Sequence, residues 1–341
     1  MNRRRFSRSL AVAASIALLG CGTARTALSS SSPAKSTKVT IVLDWTPNTN
    51  HSGIYLAQAK GYYRDAGLDV SIIEPGNDAG LPQLAAGNAQ FAVSVAEELL
   101  PARAQGAKVV SVAAILKHNT SSLIVPASRN ITRPRDLAGK TYGGFGGDLE
   151  KALVDAMVTC DGGDPSGVKY VEIGNTDYKI GLDRGDFDAV WVFDGWDVIR
   201  LEQLDGMKLV TFPFHDPGQA GRDCIPDWYT PLIATTDDVI ARQPDLVARF
   251  VQATARGYEL ARSDPQTAAA VLLAAAPELD KALVDKSAQY LANKYADTGQ
   301  PWGRQDATVW ATFEQFLVAH KILSAPVDTT KIFTNQFLPK S

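Results

Sequence analysis

Polar and aromatic side chains follow an apolar segment, residues 39–43, near the start of the chain. Trp45 offers a broad apolar face, and hydrogen-bonding side chains lie close to it: Asn48, Asn50 and His51. A flat ring stacked on the indole would gain about 0.5–1.5 kcal/mol beyond area burial. A core rarely gathers so many polar groups without partners. The loop therefore indicates a site for a flat ligand, with His51 orienting or capping rather than catalysing; a core position for Trp45 is the alternative.

Carboxylates follow another apolar segment, residues 91–95. Glu97 and Glu98 come at its end, so we expect at least one of them to face a cleft, and we favour Glu98. A carboxyl group can meet a ring nitrogen and an adjacent amino group through two hydrogen bonds. The alternative is that both acids only complement a helix dipole. Asn119 lies in a polar run after the next strand and is expected to reach the cleft or the hinge.

Aromatic and polar residues also mark strand ends in the second half of the chain. The glycine-rich segment 143–147 lacks the GKS or GKT ending of a phosphate loop, so a neutral ligand group is expected there. Strand alternation places Trp191 and Phe193 on one side. If Trp191 or Trp196 faces Trp45, a ring would be sandwiched between them. The further candidate ligand contacts are Gly144, Phe145, Phe193, Asp194 and Tyr229.

Catalytic and metal-binding patterns are not found in the sequence. It contains no Gly-x-Ser-x-Gly, no HExxH and only four scattered His. The three Cys show no CxxC or Cys/His spacing typical of a metal site. We therefore predict a protein that is not an enzyme and that needs neither cofactor nor metal.

The elements that must position these residues alternate between short apolar strands and helical patterns. This order indicates an α/β fold with mainly parallel sheets. Two α/β units, before and after about residue 122, are followed by one strand at 232–234 and then helices only. The apolar pattern from Val247 to Tyr258 predicts a helix between two prolines. Two lobes with a cleft between them suit ligand capture by closure.

The first twenty residues resemble an export signal. Arginines precede an apolar run at 10–19, which is too short for a permanent membrane span. The run ends in Leu-Leu-Gly-Cys, which resembles a lipobox with lipidation at Cys21; cleavage elsewhere is the alternative. The arginines leave twin-arginine or general secretion open. Removing residues 1–20 moves the formal charge from −3 to −7, which disfavours nucleic acid as a partner.

Residues 21–37 have the composition of a flexible tether. With Cys21 lipidated, Cys160 and Cys224 remain as one pair in an oxidising compartment, where a disulfide could form. Two buried thiols are the alternative.

Several motifs resemble one family of solute-binding proteins of ABC importers. They are DWTPNTNHSGIYLA at 44–57, GYY at 61–63, LAAGNAQF at 84–91 and DLAGKTYGGFG at 136–146. The family includes thiamine-pyrimidine precursor binders and the eukaryotic pyrimidine synthase. The resemblance implies a two-lobed periplasmic-binding fold of type II, with mixed, mainly parallel sheets and crossing strands near 122–126 and 214–229. Lobe I would comprise 38–122 plus 230–341, and lobe II 123–229.

The resemblance also implies a function and its partners. We expect a monomer that binds a formylaminopyrimidine or hydroxymethylpyrimidine and delivers it to an ABC permease with its ATPase. It would be periplasmic or anchored by lipid to the outer face of the bacterial cytoplasmic membrane. Riboflavin and aliphatic sulfonates are alternative ligands. A synthase using pyridoxal phosphate is the enzyme alternative: His51 matches its loop histidine, but residues 46–50 contain no Lys and the chain lacks the synthase's cysteine-rich segment.

Overall fold

The computed structural model describes residues 36–76, 80–174, 176–216 and 225–340. Within these ranges the chain forms ten strands. They are β1 (Thr37–Val42), β2 (Leu68–Ile73), β3 (Phe91–Ser94), β4 (Val109–Ala114), β5 (Ser121–Pro126), β6 (Thr141–Gly144), β7 (Lys169–Glu172), β8 (Ala189–Phe193), β9 (Leu209–Pro213) and β10 (Leu232–Thr236).

The strands make two mixed sheets of five. The first has the order β2-β1-β3-β10-β4 and the second the order β7-β6-β8-β5-β9. In the first, β1 pairs in parallel with β2 and β3, and β10 returns antiparallel between β3 and β4. In the second, β6 is parallel to β7 and β8, and β5 is antiparallel to β8 and β9. The predicted α/β architecture with mixed sheets is confirmed.

Helices cover the sheets. The α-helices are α1 (Ser52–Ala59), α2 (Tyr62–Asp65), α3 (Gly80–Ala85), α4 (Ala96–Ala104), α5 (Asp148–Cys160), α6 (Tyr178–Arg184), α7 (Asp237–Arg242), α8 (Pro244–Ser263), α9 (Pro265–Ala275), α10 (Lys281–Leu291) and α11 (Ala307–Ala319). A π-helix, Asp194–Leu204, follows β8, and short 3-10 turns include Thr49–His51.

The C-terminal helices pack on the first sheet. On α8 the apolar stripe predicted from the sequence is buried, and Phe250 stacks on Phe91 of β3 with 3.8 Å between ring centroids. Helix α8 also crosses α1 closely, because a Cβ at Gly257 would overlap the carbonyl oxygen of Gly53. This packing fixes α1 and the loop that precedes it.

The first crossing between the sheets lies a few residues before the expected position. Residues 122–126 do not cross between sheets: they belong to β5, which is hydrogen-bonded to β8 on one side and β9 on the other. Two ladders hold this strand inside the second sheet. The chain passes between the sheets at residues 115–120 and again between β9 and β10. The predicted lobe boundaries, after residues 122 and 229, lie near these two connections.

Some predictions fall outside the described residues, namely the signal sequence, nearly all of the tether, Cys21 and Cys224. Cys160 is disulfide-bonded, and its pairing with Cys224 stays a prediction. β1 begins at Thr37 and pairs there with Leu68, so the folded body starts one residue before the predicted position. Among the described residues, no helix has the length and apolarity needed to cross a bilayer.

Candidate ligand-binding site

The loop after β1 presents an indole to solvent. Trp45 is 60% exposed, so it does not belong to the core. The loop is folded by Asn48, whose Oδ1 accepts the Asn50 N–H at 2.9 Å and whose Nδ2 donates to the Thr46 carbonyl at 3.0 Å. Its side chain, predicted to contact ligand, therefore holds the loop that displays Trp45.

His51 is buried and positions a carboxylate. Its Nε2 lies 2.7 Å from Oδ1 of Asp44, and its Nδ1 accepts the backbone N–H of Asn48 at 3.2 Å. This pattern assigns the proton to Nε2. Both ring nitrogens are thus occupied, so a ligand hydrogen bond from His51 is not available, and its orienting role is the one that the structure supports. Asp44 was not predicted as a site residue. The one sequence feature that pointed to it is its position just after β1.

A second carboxylate lies near Asp44. Glu98, at the start of α4, is exposed, and its Oε2 accepts from the Ser94 hydroxyl at 3.5 Å. Crowding by protein and then repulsion from Asp44 raise the pKa of Glu98. Glu98 therefore lies close enough to Asp44 for the two carboxylates to influence each other, and its place in the cleft stays a prediction.

The neighbouring acid has a different role. Glu97 is half-buried, and its Oε2 accepts the Trp228 indole N–H at 2.9 Å. Trp228 itself is buried and stacks on Phe313 at 5.0 Å between centroids. Burial raises the pKa of Glu97 to about 8. This acid therefore ties the second interlobe connection to α4.

Exposed aromatic rings also occur at strand ends of the second sheet. Phe145 follows β6 and is 59% exposed, and Phe193 ends β8 and is 38% exposed. Trp191 is half-buried on the same face as Phe193, with 6.4 Å between their ring centroids, as strand alternation predicted. The rings of Phe214 and Trp228 each pack edge-to-face against the Trp191 indole.

The glycine-rich loop after β6 is closed by its own glutamate. Oε2 of Glu150 accepts the N–H groups of Phe145 at 2.9 Å and Gly147 at 3.2 Å. A Cβ at Gly144 would lie 2.7 Å from the same oxygen, so a larger residue there would displace the Glu150 carboxylate that closes the loop. The loop amides are therefore engaged internally, which agrees with the expectation that it is no phosphate loop. Gly144 supports the display of Phe145.

Lobe I and lobe II touch where α10 meets the π-helix that follows β8. Ser287 of α10 donates to the carbonyl of Gly195, and Lys286 donates to Gln203 at 2.9 Å. Trp196 is half-buried and packs against the apolar cluster of α9 and α10, and its predicted position opposite Trp45 stays a prediction. A cavity with room for about one water molecule remains between the lobes, lined by Asn48, Thr49, Asn50, Thr120, Phe193, Gly195, Trp196 and Leu291. The loop after β1 therefore meets the end of β8.

Three predicted site residues near this junction carry buried polar atoms without a hydrogen-bond partner among the described residues: Asn119 Nδ2, Trp191 Nε1 and Asp194 Oδ1. They are close along the β5–β8 pairing, since the Asp194 N–H donates to the Thr120 carbonyl at 2.9 Å. Burial raises the pKa of Asp194 to about 6. Asp194 also lies within hydrogen-bonding reach of the Ser122 side chain, which lowers its pKa against the effect of burial, so Asn119 and Trp191 are the donors here left without a partner in the described part of the chain.

One predicted contact is placed elsewhere. Tyr229 is fully buried, its hydroxyl accepts the Asp306 N–H at 2.7 Å, and its ring packs against Trp310. Because ring and hydroxyl are both engaged in lobe I, Tyr229 stabilises the core and does not line the cleft.

Comparisons with known proteins identify the family of this chain. Residues 48–268 match the family model described as NMT1/THI5 like. The chain belongs to this family. It is 28% identical to a formylaminopyrimidine-binding protein of Halalkalibacterium halodurans, over 87% of this chain and 89% of the relative. It is also 28% identical to the riboflavin-binding protein RibY of Chloroflexus aurantiacus, over 89% and 86%.

A relative named as an enzyme is similar as well. The 4-amino-5-hydroxymethyl-2-methylpyrimidine phosphate synthase of Legionella pneumophila is 25% identical, over 89% of this chain and 92% of the relative. Among solved structures, the periplasmic aliphatic sulphonate binding protein SsuA of Escherichia coli superposes with a TM-score of 0.66 at 16% identity, covering 86% of this chain and 91% of that one. This likeness shows that the family member described here has the periplasmic-binding-protein fold.

Proposed function

We propose that this protein is the extracytoplasmic substrate-binding component of an ABC importer and that it binds a planar heteroaromatic, an aminopyrimidine related to thiamine. The observation that carries the proposal is the exposed indole of Trp45, which follows Asp44 in the chain, together with the proximity of the Asp44 and Glu98 carboxylates. The similarity to a formylaminopyrimidine-binding protein supports the same ligand class.

Stacking would supply much of the affinity. Trp45 in lobe I and Phe145 and Phe193 in lobe II leave large apolar rings in contact with water. A flat ligand covered by such rings gains burial and aromatic contact together. Phe145 and Phe193 are more exposed than the half-buried Trp196, so we assign the second face to the phenylalanines, with Trp191 behind Phe193.

Charge and hydrogen bonding would select the ligand. A carboxylate can accept from the amino group of an aminopyrimidine and bond its ring nitrogen. Asp44 and Glu98 provide such groups in lobe I, and Asp194 with Asn119 provides others at the hinge. The same acids repel an anionic sulfonate, so the sulfonate alternative is disfavoured despite the shared fold.

The synthase alternative is disfavoured by the loop itself. Both nitrogens of His51 are engaged by Asp44 and Asn48, which leaves no free imidazole nitrogen to transfer a proton. The preceding residues 46–50 contain no Lys that could hold pyridoxal phosphate. We therefore propose a binding protein, and incubation with pyridoxal phosphate and iron should yield no pyrimidine product.

The proposal includes a place in the cell. The lipobox-like sequence at Cys21 and the tether composition support an anchor on the outer face of the cytoplasmic membrane, with a permease and its ATPase as partners. A monomer is sufficient, because both lobes of the cleft come from one chain.

Calorimetric titration tests the ligand class. Purified protein should bind hydroxymethylpyrimidine or formylaminopyrimidine, and Trp45→Ala should weaken binding at least ten-fold, which is about 1.4 kcal/mol. Ile180→Ala, which removes an exposed apolar side chain of α6, is the matched control and should leave affinity unchanged. Tight binding of riboflavin or an alkanesulfonate without binding of aminopyrimidines would refute the proposed ligand, and unchanged affinity in Trp45→Ala would refute the stacking role.

A further inference from the structure

Folding brings metal-ligating side chains together at the two connections between the lobes. His118 lies on the first connection, and His215 and Asp227 lie on the second. One possible ligand atom from each of the three falls within 4.8 Å of the others. Sequence spacing gave no indication of this group, because its members come from segments far apart in the chain.

Two of the three groups already contact each other, and hydrogen bonds from residues outside the group orient them. Nδ1 of His118 is 2.6 Å from Oδ2 of Asp227, and Nε2 of His118 is 3.2 Å from Oδ1 of Asp297. The other Asp227 oxygen accepts the Asn119 N–H at 2.8 Å. A ligating histidine usually donates its second ring nitrogen to a carboxylate, and Asp297 occupies that position.

We propose that His118, His215 and Asp227 bind one divalent transition-metal ion of the zinc class. His118 Nδ1, a nitrogen of His215 and an oxygen of Asp227 would be the protein ligands, with water in the fourth position. Two imidazoles and a carboxylate suit zinc. Ligand atoms of tetrahedral zinc lie about 3.4 Å apart. The ion would therefore replace the 2.6 Å contact between His118 and Asp227, whose atoms would separate by about 1 Å, while the His215 nitrogen moves in from within 4.8 Å.

An ion at this place would bind side chains from both interlobe connections at the same time. Lobe opening requires the segments around His118 and Asp227 to shift relative to each other, and shared coordination would restrain that shift. The site also adjoins the candidate ligand site through Asn119, whose backbone holds Asp227 and whose Nδ2 is unpartnered. We infer that the ion stabilises the hinge, independently of which ligand occupies the cleft.

Metal titration of the mature protein, freed of any histidine tag and stripped with a chelator, tests the site. Zinc should bind with one equivalent per chain, and cobalt should give the intense visible absorption of tetrahedral coordination. His215→Gln should weaken zinc at least ten-fold, and the double variant His118→Gln/His215→Gln should abolish binding. His320→Gln, which alters an exposed histidine outside the group, should bind as the parent does.

Amide hydrogen exchange measures the effect on the hinge. Zinc should slow exchange at residues 118–122 and 225–230 in the parent protein and leave the double variant unaffected. Absence of binding in the parent would show that His118 serves only as an ion-pair partner of Asp227 and Asp297, and would overturn the proposal. Zinc binding that survives in the double variant would place the ion elsewhere and overturn it equally. Thermal melting of each variant confirms that it is folded.

Discussion

Replacing Glu97 by Gln should make the stability of this protein less dependent on pH. In the folded chain, burial raises the pKa of Glu97 from 4.5 to about 8. Between these values the native state holds a proton that the unfolded chain has released, so stability falls as pH rises. Integration from pH 6 to pH 8 gives a loss of about 2 kcal/mol from this one group.

The Gln variant keeps the local structure and removes the titration. An amide oxygen can still accept the Trp228 indole N–H, which now bonds Oε2 of Glu97 at 2.9 Å. The difference in unfolding free energy between variant and parent should therefore grow by about 2 kcal/mol in favour of the variant from pH 6 to pH 8. Burial also raises the pKa values of Asp194 and Asp197, each to about 6, but these acids are present in both proteins and cancel in the difference.

Urea denaturation at several pH values provides the assay. Glu278→Gln, which changes an exposed glutamate, is the matched control and should run parallel to the parent. A constant gap between Glu97→Gln and the parent from pH 6 to pH 8 would refute the reasoning, because it would mean that Glu97 is already ionised at pH 6 in the folded chain.

Further predictions concern the site, the core and the anchor. Glu98→Gln should weaken aminopyrimidine binding about ten-fold in calorimetry, since one acceptor is lost, and an unchanged constant would remove Glu98 from the site. Gly257→Ala should destabilise the fold by about 1–3 kcal/mol in urea denaturation, because its methyl group would overlap the Gly53 carbonyl, whereas Gly76→Ala meets nothing and should be neutral. Cys21→Ala should release the protein from the membrane fraction after cell lysis; continued membrane association would contradict the lipid anchor.

The architecture could be predicted because its signals are local. Apolar segments of four to six residues alternate with helical stripes, and the stripe on α8 is buried as expected. Exposure of Trp45 was also predictable, since polar residues crowd the loop after β1. These features depend on neighbours within a few residues, where the sequence pattern carries most of the information.

The structure differs from the predictions at residues whose position depends on contacts with distant parts of the chain. Whether residues 122–126 cross between lobes depends on their pairing with β8 and β9, both far along the chain. Tyr229 was assigned to the cleft by its place near a connection, but Asp306 and Trp310, from the C-terminal region, draw it into the core. Such contacts leave no periodic trace in a single sequence.

The loop after β1 combines rigidity with an absence of free catalytic groups, and both follow from the same contacts. His51 links Asp44 to the backbone of Asn48, and Asn48 in turn closes the turn around Thr46 and Asn50. These bonds join residues at most seven positions apart, so they can form without a ligand and fix Trp45 in advance. Preorganisation lowers the entropy lost on binding, whereas proton transfer requires a histidine nitrogen that is free to exchange. In this chain the engagement of both imidazole nitrogens agrees with the proposed binding role, because no free histidine nitrogen remains in the loop to transfer a proton.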